Sequence, residues 1–230
     1  MQRTIPLHEI AFLDIETAAV YPSFESMPEA WQQLWRRKSV GFRDPEPPEE
    51  SYRKAGIYAE FGKVICIVVA IPDRFGAIQY EVFDDPDEAK LLRSFGLFLH
   101  TAFRSGRKWL CAHNGKEFDF PFIARRMLVN GLPLPDALDT AGRKPWEVQH
   151  LDTMELWKFG DYKAFTSLTL LAQLFNLPCP KDDLDGSMVG ETYWVEQDLP
   201  RIVRYCRKDV ETLVQVYLRM RGNMVGATLL

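Results

Sequence analysis

The chain has 230 residues, of which 47% are hydrophobic and 13% aromatic, and its 28 Lys and Arg stand against 32 Asp and Glu for a net charge of −4. That composition supports a sizeable core and excludes wholesale disorder. It also argues against the wrapping of duplex nucleic acid, which usually takes a basic surplus, so any such contact must be local, brief or metal-mediated.

Residues 9–15 (EIAFLDI) predict a first strand that runs apolar into an acidic end. Residues 64–71 (VICIVVAI) are β-branched and apolar throughout, as in a strand buried on both faces, and 78–83 alternate as a third strand. A helix follows from Asp85-Pro86 to about 103, then a short strand at 109–112 and a helix over 117–130, closed by Gly131 and Pro133. Residues 148–151 suggest a fifth strand, leading into a helix at Asp152 or Thr153. Helices over 167–175 and from Asp198 to Met220 complete the order. Strands first, then strands alternating with helices, give an α/β fold: a five-stranded mixed sheet with helices on both faces. One domain over 1–230 is expected, carrying an insertion at about 22–60. Within it, 30–38 holds Trp31 and Trp35 on one helical face, and too few residues are present for a core of its own. No run reaches the ~20 apolar residues of a membrane helix, the first residues lack a signal-peptide core, and the four cysteines form no CxxC pair. A soluble, cytoplasmic protein without membrane contact is expected.

Three segments carry candidate chemistry. In Asp14-Ile15-Glu16 the strand alternation points both carboxylates to one face, a hard-oxygen site suited to Mg²⁺ or Mn²⁺, or else a solvated strand end. Asn114-Gly-Lys-Glu-Phe118-Asp119 joins a strand to a helix, where an acidic residue in the first turn is also favoured by the helix dipole. Tyr205 and Asp209 lie one turn apart on one face of the last helix, beside apolar Val203, Val210, Leu213 and Val214. Four converging carboxylates would repel one another without divalent cations, and a pair of ions is a recurring device for displacement at phosphorus.

FLDIET, NGKEFD and YCRKD resemble, in order, the three motifs of the DEDD 3′–5′ exonucleases of the DnaQ-like, ribonuclease-H-like superfamily. The tyrosine places the chain near the DEDDy type, similar to stand-alone exonucleases related to the proofreading domain of family B DNA polymerases. The resemblance spans about 8–220. It implies a ribonuclease-H-like sheet whose first three strands are antiparallel. It further implies two divalent ions, Mg²⁺ or Mn²⁺, held by Asp14, Glu16, Asp119 and Asp209, with Tyr205 orienting the attacking water. Thr17, Asn114 and Phe118 would hold the 3′ end of single-stranded DNA, favoured over RNA. Nucleoside 5′-monophosphates would be released. An exoribonuclease or oligonucleotide hydrolase with the same site, or a silent nucleic-acid-binding module, stays open, and no protein partner is indicated. Asp152 is open between a helix cap and a site residue, and Lys158 and Lys163 are candidates for an assisting lysine. The basic runs 36–38, 125–126 and 204–208 are expected on solvated helix faces, and the polar loop 178–189 has no assigned role.

Overall fold

The computed structural model describes residues 5–106, 108–161, 163–178 and 184–222. β1 (Ile10–Ala19), β2 (Gly62–Pro72), β3 (Ile78–Phe83), β4 (Trp109–Ala112) and β5 (Leu151–Asp152) form one sheet in the order β3-β2-β1-β4-β5. β1, β2 and β3 pair antiparallel, whereas β4 and β5 run parallel to β1. The helices among the described residues are α1 (Glu29–Ser39), α2 (Pro48–Ser51), α3 (Glu88–Arg104), α4 (Asp119–Val129), α5 (Thr153–Lys158), α6 (Leu168–Leu174), α7 (Val189–Glu191) and α8 (Leu199–Met220). None is long and apolar enough to cross a membrane.

Alternation along β1 divides the core. Ala11, Leu13 and Ile15 pack with Leu92 and Phe95 of α3 and Phe122 and Ile123 of α4. Ile10 and Phe12 pack on the other face with Ile202, Cys206, Val210, Leu213 and Tyr217 of α8. β2 is buried on both faces, as its continuous apolar run predicts, at roughly 1.5–3 kcal/mol for each large side chain taken from water. α8 starts where expected, since the Asp198 side chain accepts the Arg201 N–H ahead of an inward stripe at three- and four-residue spacing.

The helix expected from Asp85-Pro86 starts at Glu88, capped by the Asp87 side chain, and four further departures bear on the core. β1 runs beyond residue 15, because its pairing with β2 continues through an irregularity between Glu16 and Thr17. β5 is two residues long: the Leu110 N–H bonds to His150 Nδ1, so an imidazole stands where a strand carbonyl would. The insertion does build a satellite core, because aromatic rings bury enough area from few residues. Trp35 is fully buried at its centre, donating through Nε1 to Pro48 O and meeting Tyr52 and Phe61 edge-on, whereas Trp31 stays partly exposed.

The fourth departure is Arg126, expected on a solvated face. It is buried against Glu88, with Nε to Oε1 at 2.9 Å, and donates to Ala59 O. Glu88 also accepts the Val64 N–H and the Asn130 amide, so one carboxylate ties α3, α4 and β2 together. Arg126→Leu leaves that carboxylate buried without its cation, and urea titration should show a loss of about 3–5 kcal/mol.

Candidate active site

Asp14 and Glu16 continue the even-numbered face of β1 beyond Ile10 and Phe12, so the alternation that buries apolar residues against α8 delivers two carboxylates to that helix. Cys206, in the first half of α8, lies 3.4 Å from both the carbonyl and the Oδ2 of Asp14. Ligand atoms of Asp14, Glu16 and Cys206 all fall within 4.8 Å of one another. Asp119 arrives from the first turn of α4, 3% exposed, and accepts the N–H of Ile15 between the two β1 acids. Its Oδ1 is buried and has no protein partner. Asp209 approaches from α8, one turn after Tyr205, and accepts the Tyr205 hydroxyl. The four carboxylates and the tyrosine are therefore brought together from one strand and two helices.

Their electrostatics follow from that crowding. Burial, then Asp119, Glu16 and Asp209, push the Asp14 carboxyl well above the ordinary range. Burial, followed by Cys66 opposite it on β2 and then Asp209 and Asp119, raises Glu16 likewise. Asp119 is pushed up to about 7, chiefly by burial and further by Asp152. Burial and the facing Asp209 raise the Tyr205 phenol, which holds its proton and serves as a donor rather than a base. Mutual repulsion, a buried oxygen without a partner and an oxygen donor set together fit a divalent cation. Burial holds Cys206 as a neutral thiol, a donor toward Asp14 rather than a soft ligand.

The second segment is built around Asp152. Its carboxylate caps α5 at Met154 N and Glu155 N, and also accepts the N–H of Asn114 at 2.9 Å and of Lys116 at 3.1 Å. Asp152 is therefore a helix cap that also reaches across to the turn. Asn114 adopts a left-handed φ of 63°, and Gly115 must be glycine, since a Cβ there would sit 2.3 Å from that of Ala112. Phe118 is half-buried, packs against the core and tilts against Phe122 with centroids 5.4 Å apart. Thr17 is half-buried just past the β1 irregularity. Lys158 lies over the Phe165 ring, and Lys163 is exposed.

Cys206 and Cys66 were not singled out by the motifs. Cys206 had a signal, its spacing of three from Asp209 on an inward helical face; Cys66 faces Glu16 only through strand register, which spacing does not encode. Of the 178–189 loop, residues 179–183, with Asp182 and Asp183, lie outside the described residues.

The family B DNA polymerase of the hyperthermophilic archaeon Pyrobaculum calidifontis superposes with a TM-score of 0.60 at 16% identity, over 92% of this chain and 24% of the polymerase. The chain thus spans about a quarter of that protein, and the likeness shows a ribonuclease-H-like fold. No curated protein matches the chain. A family model described as a predicted 3′–5′ exonuclease related to the exonuclease domain of PolB matches residues 57–227. That match contains Asn114, Asp119, Tyr205 and Asp209 and begins after Asp14 and Glu16, which join the cluster through β1. With well over half of its residues matched, the chain belongs to this family of predicted 3′–5′ exonucleases related to the exonuclease domain of PolB.

Proposed function

We propose that the protein is a metal-dependent 3′–5′ exonuclease of the DEDDy type that shortens single-stranded DNA from its 3′ end and releases nucleoside 5′-monophosphates. The observation that carries this reading is the convergence of Asp14, Glu16, Asp119 and Asp209 with a buried Asp119 oxygen that has no protein partner. The four carboxylates would hold two Mg²⁺ or Mn²⁺ ions, which supply Lewis-acid charge stabilisation and an acidified water at phosphorus. Asp14 is central to such a set, since Asp119, Glu16 and Asp209 all act on it. Cys206 fixes its orientation through the bonds to its carbonyl and carboxylate. Tyr205, proton retained, orients a water by hydrogen bonding and takes no proton from it. Asn114, held by Asp152, and Thr17 flank the 3′-terminal nucleotide, and the half-buried ring of Phe118 stacks on its base.

The reading takes residues 1–230 as one exonuclease domain with an insertion at about 22–60, acting in the cytoplasm. The acidic net charge suits a site that grips a few terminal nucleotides and leaves the rest of the strand in solvent.

Release of mononucleotides from an unlabelled oligonucleotide, followed by liquid chromatography with Mn²⁺ or with EDTA, tests the reaction. Metal-dependent appearance of 5′-monophosphates supports it, and 3′-monophosphates or no release overturn it. In the same assay Tyr205→Phe should lower kcat by roughly 10–100-fold with little change in KM, because one water-orienting bond is lost and the carboxylates stay. An unchanged kcat would remove Tyr205 from the site.

A further inference from the structure

Phe165 presents its aromatic ring to solvent rather than to a core. It is 69% exposed and belongs to none of the buried clusters among the described residues. Lys158, the last residue of α5, places its ammonium 4.3 Å from the ring centroid. A single exposed apolar side chain is ordinary on a protein surface. This one is fixed to the candidate site through a chain of hydrogen bonds. The next residue, Thr166, offers its carbonyl to His113 Nε2 at 2.9 Å, so that nitrogen carries the proton. His113 Nδ1 then accepts from the Thr153 hydroxyl at 2.8 Å, and burial favours the neutral ring this requires. His113 precedes Asn114, and Asp152, which caps the helix carrying Lys158, holds the Asn114 N–H. Ser167 then caps α6, pinning the other side of the segment. Phe165 is thus displayed outward from a backbone rigidly joined to the turn that presents Asn114.

An exposed ring with a cation on its face is the pairing that single-stranded nucleic acids use: the base stacks on the ring and the ammonium meets a backbone phosphate. We propose that Phe165, with Lys158, is a stacking site for a nucleobase of the bound single strand upstream of its 3′ terminus, so that the strand leaves the carboxylate cluster along α5. This rests on the exonuclease reading, under which the terminal nucleotide is at the carboxylates and Asn114, and the Phe165 ring meets a base further back. The preference would be for single strands of any sequence, since every base offers a π-face.

The test uses the full-length protein and single-stranded 12-mers, each with one 5-iododeoxyuridine at a different distance from the 3′ end, in EDTA to prevent cleavage. Long-wavelength irradiation followed by peptide mapping should place a crosslink at Phe165 from one internal position and not from the 3′-terminal one. Phe165→Ala should weaken binding of the plain 12-mer about tenfold by fluorescence anisotropy, with Phe165→Trp restoring it. Lys158→Met, which keeps apolar contact with the ring, should lower the slope of log K against log salt by roughly 0.7, the value for one phosphate on a single strand. Equal affinity of wild type and Phe165→Ala, or crosslinks that avoid Phe165 while the wild type binds and trims the strand, would overturn the stacking site and leave the exonuclease reading standing. A wild-type protein that neither binds nor cleaves the 12-mer would overturn both.

Discussion

Asp14→Asn is expected to lower exonuclease turnover by about a thousandfold or more and, at the same time, to make the metal-free protein more stable. The loss follows from position: Asp14 faces Glu16, Asp119 and Asp209, so its removal takes away a central carboxylate of the set that would hold the ions, at a cost of several kcal/mol in the transition state. The gain in stability follows from electrostatics. The same three carboxylates and burial raise the Asp14 carboxyl well above its ordinary value, which means that its charge costs free energy in the folded state. Asn keeps the shape and removes the charge. Thermal unfolding in EDTA at pH 8 should therefore show a midpoint a few degrees higher in the variant. That difference should shrink as the pH is lowered and the wild-type carboxyl takes up its own proton. A variant that is both inactive and less stable would assign Asp14 to the fold instead of to a metal site.

The second large effect is the pH dependence of metal stabilisation. Asp119 is raised from 3.8 to about 7, and Asp14 and Glu16 are raised as well. A carboxyl whose folded value lies above its unfolded one contributes stability that is complete below the unfolded value and is lost as pH rises through the folded value. For Asp119 alone this window runs from about pH 4 to above 7 and spans about 4 kcal/mol. The metal-free protein should lose stability across it. Mg²⁺ or Mn²⁺ binds the ionised carboxylates and displaces their protons, so the rise in unfolding midpoint on adding millimolar metal should be small at pH 5 and largest near pH 8. Calorimetric scans at four pH values, each with metal and with EDTA, measure both curves. A midpoint shift independent of pH would show that the metal acts elsewhere.

Much of this arrangement was legible in the chain. The alternation Ile10, Phe12, Asp14, Glu16 states both that β1 has one face toward a helix and that the face turns acidic at its far end. Asp198-Leu-Pro marks the start of α8, and the Tyr205–Asp209 spacing places both side chains on one face of it. These features are local, set by periods of 2 and 3.6 residues and by capping chemistry. What escaped is non-local. Arg126 in a basic pair has the composition of a surface position, and only Glu88, 38 residues away, makes its burial tolerable. Trp35 reads as an anchor, yet it organises a cluster whose members come from residues 24–61. Cys66 meets Glu16 only because β1 and β2 pair in one register. The shortness of β5 reflects an imidazole substituting for backbone, a choice no strand propensity registers.

The central claim, that the four carboxylates form a metal-dependent 3′–5′ exonuclease site, is tested most directly by one gel. A 5′-labelled single-stranded DNA oligonucleotide and its RNA counterpart are incubated with wild type and with Asp14→Asn, in Mg²⁺, in Mn²⁺ and in EDTA. The account predicts a ladder of products shortening from the 3′ end in metal, faster on DNA, absent in EDTA and absent in the variant. An intact substrate in every lane with folded wild-type protein, or a ladder that persists with Asp14→Asn, would contradict it.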